Sequence, residues 1–258
     1  MTAEALVLVT VARTAGSVPR EVGAWMTVAA SAVTGTVGGG HLEFDAIARA
    51  RAALAGGELS DEVRYPLGAS LGQCCGGVVW LNFKRLQAGD DLASHLPVVP
   101  GRPLALFGAG HVGQAIARIA RDLPLALHWI DSREKQFPDE PPAPGWRQEV
   151  CDPPADAVAD LAPGATVLIM SHNHAEDFDI VAACLKRQRE RADLAFIGLI
   201  GSRTKWASFR QRLEGRGYTE AERAQVCCPI GLAGVVGKQP AVIAVAVLAQ
   251  ILSLPASA

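Results

Sequence analysis

Cys74-Cys75-Gly76-Gly77, preceded by Gly72 and Gln73, is the segment whose residue types most plainly offer chemistry. A disulfide needs Cα atoms about 4.4–6.8 Å apart, and a trans peptide holds neighbours at about 3.8 Å, so these two thiols do not readily bridge each other. The flanking glycines let the backbone turn sharply and let a bulky group come close. The segment reads as thiols presented to a ligand.

A second segment, Gly108-Ala109-Gly110-His111-Val112-Gly113, fits G-x-G-x-x-G. It follows an apolar run and opens a helical one, and Asp131 ends the next apolar run 21 residues after Gly110. That context makes the motif a dinucleotide fingerprint. Gly108, Gly110 and Gly113 would provide a tight turn, close approach of a pyrophosphate and helix packing, with free N–H groups holding the anion. Asp131 would favour a ribose 2′-hydroxyl and Arg133 a 2′-phosphate, so NAD and NADP both remain open. The alternative is a turn of the same shape that binds nothing.

Three further segments have polar residues at element starts. Gly38-Gly39-Gly40 precedes a helix and is a candidate anion cradle, with Glu43 in the first turn either part of it or simply favourable to the helix dipole. Gly201-Ser202-Arg203-Thr204-Lys205 combines an N-cap serine with two cations: either a phosphate site using Ser202 and Arg203, or a cap with solvated charges. Ser171-His172-Asn173-His174-Ala175-Glu176-Asp177 follows an apolar strand. It is either a metal site ligated by His172 and His174 with the nearby carboxylates, or a polar loop in which Ser171 or Asn173 caps a helix. No C-x-x-C spacing exists among the six cysteines, so a structural zinc is not expected. Cys151 and Cys184 sit among apolar residues and read as buried, and Cys228 reads as either a second site thiol or strand packing.

These segments need elements to hold them. In the first block, Leu6–Ala12, Trp25–Ala29 and Val78–Phe83 predict strands, and residues 41–54 a helix. Residues 88–103 read as a linker. Beyond it strands and helices alternate, with strands at 103–107, 125–130, 166–170 and 194–200. The helices fall at 112–121, 179–191, 203–214 and 240–252. The pattern predicts an α/β chain: a smaller N-terminal α+β domain over residues 1–95 and a Rossmann-like, doubly wound parallel sheet over residues 100–258.

The chain has 258 residues, half of them hydrophobic, and a net charge of −2. Residues 1–100 carry 7 Lys and Arg against 9 Asp and Glu, which leaves 17 against 17 for the rest, so neither half is basic and nucleic acid is not an expected partner. The start lacks a secretory pattern, and the apolar stretch Ala241–Ala249 is too short to span a bilayer, so no membrane association and a cytoplasmic location are expected. There, cysteines are mostly free thiols, metal ligands or catalytic groups.

Taken together, the segments resemble the XdhC/CoxI family of accessory proteins for molybdenum hydroxylases, its XdhC branch above all. The N-terminal likeness lies in Gly16-Ser17-Val18-Pro19-Arg20, Gly23-Ala24-Trp25-Met26, the run from Gly35 to Glu43, and Cys74-Cys75-Gly76-Gly77. The C-terminal likeness lies in Phe107–Gly113, Trp129–Arg133, Ser171–His174, Gly198–Arg203 and Cys228–Leu232 through Gly237-Lys238. The resemblance implies a chaperone, not itself an enzyme, that binds the molybdenum cofactor in its molybdopterin form. It implies partnership with a cysteine desulfurase that supplies a terminal sulfido ligand, and delivery of the cofactor to apo xanthine dehydrogenase. A homodimer is expected from the apolar chain ends and the family.

In that setting Cys75 and Cys74 are the expected molybdenum ligands or sulfur carriers. Cys75 ranks first because it directly precedes Gly76 and Gly77. Gln73 would bond an oxo, sulfido or pterin edge group. Two other readings stand beside this one. One is an NAD(P)-dependent oxidoreductase with His172 or His174 as acid–base. The other is an interaction scaffold whose ligand sites are vestigial.

Overall fold

A computed structural model describes residues 2, 4–68, 76–96, 101–143 and 145–255. Leu71, Gly72, Gln73, Cys74 and Cys75 lie outside the described residues. The chain divides into two compact units, Met1–Val99 and Pro100–Ala258.

In the first unit the strands are β1 (Leu6–Ala15), β2 (Trp25–Val28), β3 (Val33–Gly35), β4 (Glu62–Pro66) and β5 (Val78–Leu86), with helix α1 (Gly40–Leu54) between β3 and β4. They form an antiparallel sheet in the order β3-β2-β1-β5-β4. Alternation along β1 sends Val7, Val9 and Val11 into the core beside Met26, Val28, Leu81 and Phe83. Helix α1 meets them with Leu42, Ala46 and Ala50, spaced four apart on one face, and the alanines let it lie close to the sheet. Strands β3 and β4, absent from the sequence-based expectation, are short and largely exposed, so hydrophobic alternation does not mark them. The span expected as linker holds a 3-10 turn, Leu92–His95, capped by Asp91.

The second unit contains β6 (Arg102–Phe107), α2 (His111–Ala120), β7 (Leu125–Asp131), β8 (Arg147–Val150), β9 (Thr166–Ile169), α3 (His174–Arg191), β10 (Phe196–Leu199), α4 (Arg203–Gly215), α5 (Glu220–Arg223), β11 (Val226–Cys227) and α6 (Pro240–Leu252). Its six parallel strands run β11-β10-β9-β6-β7-β8. From β6 the chain builds outward through β7 and β8, then returns to β9 on the other side of β6. The order therefore reverses between β6 and β9, where open α/β sheets form their ligand crevice.

Apolar side chains cover both faces of this sheet. Ala105, Phe107 and Ile169 pack with Phe178, Cys184 and Phe209 on one face, while Leu104, Leu106 and Leu168 pack with Ile116, Val247 and Leu248 on the other. Helix α6 carries no charged residue, and its last carbonyls are capped from outside. The Arg102 guanidinium donates to Leu254 O at 3.0 Å and Ile251 O at 3.2 Å. The buried Arg187 side chain pairs with both Asp193 oxygens and donates to Val158 O and Leu161 O, holding the turn Pro154–Asp160 against α3. No helix among the described residues is long and apolar enough to cross a membrane.

Candidate functional site

In the first unit, three Gly-rich motifs separated in sequence meet. Gly77 N–H donates to Ser17 O at 3.0 Å, and a Cβ at Gly77 would stand 2.4 Å from that same oxygen and 2.5 Å from Ala15 O. Only glycine permits the approach. On the other side of the Gly16–Arg20 segment, a Cβ at Gly38 would fall 2.5 Å from Pro19 Cγ, and Gly38 has a φ of +132°. A Cβ at Gly76 would meet no described residue within 4 Å. The structure thus brings Gly76, Gly77 and Gly38 to one loop segment. Gln73, Cys74 and Cys75 fall outside the described residues.

The cradle expected for a ligand anion at Gly38-Gly39-Gly40 is filled by the chain itself. Glu43 Oε2 accepts from Thr36 Oγ1 at 2.5 Å, Val37 N at 3.0 Å and Gly39 N at 3.1 Å, while Gly38 N–H donates to Thr36 Oγ1. Burial acts to raise the Glu43 pKa, but these bonds outweigh it and hold the carboxyl below its ordinary 4.5. The glycines shape the entry to α1, and the anion they bind is Glu43. A depressed carboxyl adds stability in full above its unfolded pKa, lost as pH falls through the lower folded value. Glu43→Gln is therefore expected to cost about 1–2 kcal/mol at pH 7, and the deficit should shrink below about pH 4 in urea denaturation.

In the second unit the carboxyl edge of the parallel sheet collects the remaining candidates. Gly108 ends β6 with a φ of +118°, and a Cβ there would be 2.1 Å from Met170 O, at the end of β9. A Cβ at Gly113 would be 2.0 Å from Gly108 O. These two glycines let strand, turn and helix close on one another. Gly110 is different: its φ is −72° and a Cβ there would meet nothing within 4 Å. It is the N-cap of α2 and makes no side-chain cap, so the first N–H groups of the helix receive no capping side chain from that position. Trp129 Nε1 donates to Gly108 O and Gln114 Nε2 to Ala109 O, supporting the turn from below; sequence reasoning missed both.

Asp131 and Arg133, expected to compete for a ribose, instead bind each other. Arg133 donates through Nε to Oδ1 at 2.9 Å and through a terminal nitrogen to Oδ2 at 3.0 Å, while Ala109 N–H reaches Oδ2 at 2.7 Å. Burial would raise the Asp131 pKa, but Arg133 and the backbone N–H groups of Ala109 and Arg133 together keep it below its ordinary 3.8. A ribose hydroxyl at Asp131 would have to share a carboxylate that already accepts several hydrogen bonds.

The histidine segment proves to be largely a cap. Asn173 Oδ1 accepts from Ala175 N and Glu176 N at 2.9 Å, which starts α3. His172 and His174 are exposed. His172 Nδ1 lies 3.1 Å from Glu176 Oε2, and Ser132 Oγ donates to Glu176 Oε1 at 2.9 Å. This hydroxyl–carboxylate–imidazole chain joins residues from the ends of β7 and β9, and it could orient His172 as an acid or base.

Below it lies a pair invisible in the sequence: Lys205 Nζ donates to Asp177 Oδ2 at 2.5 Å and Ile200 O at 2.9 Å, while Ser171 N–H donates to Asp177 Oδ1. Ser202 Oγ accepts from Lys205 N and caps α4, while Arg203 is exposed. Burial pushes the Cys228 thiol up to about 11 against the pull of Lys205, and pushes Cys184 up to about 12. Neither is a thiolate at neutral pH. Among the described residues, no group of three or more His, Cys, Asp or Glu is arranged to hold a metal ion.

The XdhC and CoxI family matches residues 2–66, and the XdhC Rossmann domain matches residues 104–251. YqeB, an uncharacterized protein of Escherichia coli strain K12, is 28% identical over 252 residues. The match covers 93% of this chain and 41% of YqeB, so this chain spans less than half of that relative's length. The crystal structure of a xanthine dehydrogenase from Bacillus halodurans superposes with a TM-score of 0.68 at 20% identity, over 97% of this chain and 91% of that one, which shows a shared fold. One matched region falls in each unit, the first ending before Cys74–Gly77, and the second alone takes in more than half of the residues. The chain therefore belongs to the XdhC and CoxI family.

Proposed function

We propose that this protein carries the molybdenum cofactor as cargo. In this reading it binds the molybdopterin form, shields it, supports its sulfuration by a cysteine desulfurase and hands it to apo xanthine dehydrogenase. The observation that favours this is the meeting of Gly16–Arg20, Gly38 and Gly76–Gly77 at one corner of the first unit, with no described residue on the side a Cβ of Gly76 would occupy. Cys75 and Cys74, directly before Gly76, would present thiolates to the metal or accept its sulfur, and Gln73 would bond an edge group of the cargo.

Purified protein titrated with molybdopterin should bind it, and Cys75→Ala should weaken binding at least tenfold, about 1.4 kcal/mol. Cys74→Ala should have a smaller effect. If the doubly substituted protein binds the cofactor normally and still matures xanthine dehydrogenase, the thiols have no part in it.

A second reading, NAD(P) binding at Gly108–Gly113, is favoured by the open face of Gly110. It predicts nicotinamide-nucleotide binding in calorimetry that Gly110→Val abolishes.

A further inference from the structure

The connection from β7 to β8 contains a 3-10 turn, Glu134–Gln136, and a proline-rich loop, where a doubly wound sheet ordinarily has a helix. A cavity of about 240 Å³ lies between this connection, α2 and the two strands. Two of the five tryptophans line it, Trp129 and Trp146. Both indole N–H groups are already spent on backbone, Trp129 on Gly108 O and Trp146 on Leu125 O, each at 3.1 Å. What the rings offer the cavity is carbon surface, most of it from Trp146, since Trp129 is only 3% exposed.

Arg118 and Arg121 line the same space from α2, against a single carboxylate, Glu140. Arg121 reaches Glu140 only at 3.5 Å, with both side chains well exposed, so the pair neutralises little. Arg118 has no hydrogen-bond or ion-pair partner among the described residues. The wall is also set in advance: Gln114 is pinned by donating to Ala109 O and Gln136 O.

Carbon faces with spare guanidinium charge suit an aromatic anion. The volume falls below the ~300–1,000 Å³ typical of sites for drug-sized ligands, which suits a ligand of one or two rings. We propose that this cavity is a ligand site for a flat aromatic or heteroaromatic carboxylate of one or two rings. It is separate from the cargo corner of the first unit and does not depend on it.

The test uses the full chain and two probes of the same shape, naphthalene-2-carboxylate and 2-naphthylmethanol. The carboxylate should bind saturably and at least tenfold more tightly than the alcohol, shifting the indole N–H resonances of Trp129 and Trp146 but not those of Trp25, Trp80 and Trp206. Arg118→Gln with Arg121→Gln, both on the helix surface, should leave the fold intact and bring the two probes within threefold of each other. Trp146→Leu should remove binding of both. Equal affinities in the wild-type protein, no saturation, or unchanged discrimination in the double arginine variant would each overturn the proposal.

Discussion

Alanine at Gly108 or Gly113 is expected to lower stability by about 3 kcal/mol or more, while alanine at Gly110 leaves it within about 1 kcal/mol. The three glycines share one motif but not one job. At Gly108 a methyl group would fall 2.1 Å from Met170 O, at a φ of +118° that L side chains rarely adopt. At Gly113 it would fall 2.0 Å from Gly108 O. In both cases the obstacle is backbone, which cannot swing aside as a side chain can, so β6, β9 and α2 must separate.

At Gly110 the added group enters open space at an ordinary φ. The expected loss there is the roughly 0.5–1 kcal/mol by which glycine surpasses alanine as an N-cap. Thermal melts read the difference directly: roughly a 10 °C drop for Gly108→Ala or Gly113→Ala and little change for Gly110→Ala. Gly110→Val extends the experiment to ligands. It should fold and lose any anion bound at the start of α2. A large stability loss at Gly110, or none at Gly108, would contradict the division of roles.

Removing the ammonium of Lys205 is the second large effect. The Asp177 side chain is 2% exposed and that of Lys205 11%, so the pair is screened little by water or salt. Lys205→Met would leave the Asp177 carboxylate buried with the Ser171 N–H as its remaining donor, and the expected cost is about 3–5 kcal/mol. The double variant Lys205→Met with Asp177→Leu should recover most of that loss, because two apolar groups leave no unpaired charge. Urea denaturation of the two single variants and the double one gives the coupling. If the effects simply add, the pair is not coupled. The pair also has a positional consequence. Lys205 holds Ile200 O while Asp177 holds Ser171 N, so it ties together the ends of β9 and β10 beneath the crevice. Any ligand bound along that edge should weaken in Lys205→Met.

The reading of the motifs depended on how local their determinants are. Asn173 and Ser202 cap α3 and α4 through bonds spanning two or three residues, a range the sequence displays directly. Glu43 was visible as a first-turn carboxylate, but its three donors depend on the path of residues 36–39. Asp131 as partner of a ribose hydroxyl and Arg133 as partner of a 2′-phosphate are both legible in the sequence. Their mutual bond, two residues apart, follows from the strand end that points both side chains at the Gly-rich turn. Glu176 bonding Ser132 spans 44 residues, and no local pattern announces it.

The parallel sheet, its four central strands with four of the helices of the second unit, and the Gly-rich turns are legible in the sequence alone, because they follow from hydrophobic period, caps and glycine placement within a few residues. It also carried the family likeness through motifs spread along the chain. Folding in three dimensions settles which glycines are steric and which is open, that Glu43 fills its own cradle, and that β3, β4, β8 and β11 exist at all. Those outcomes depend on pairing and close approach between distant segments. There the deciding quantity is the distance between two backbones, and the spacing of residue types along one chain does not encode it.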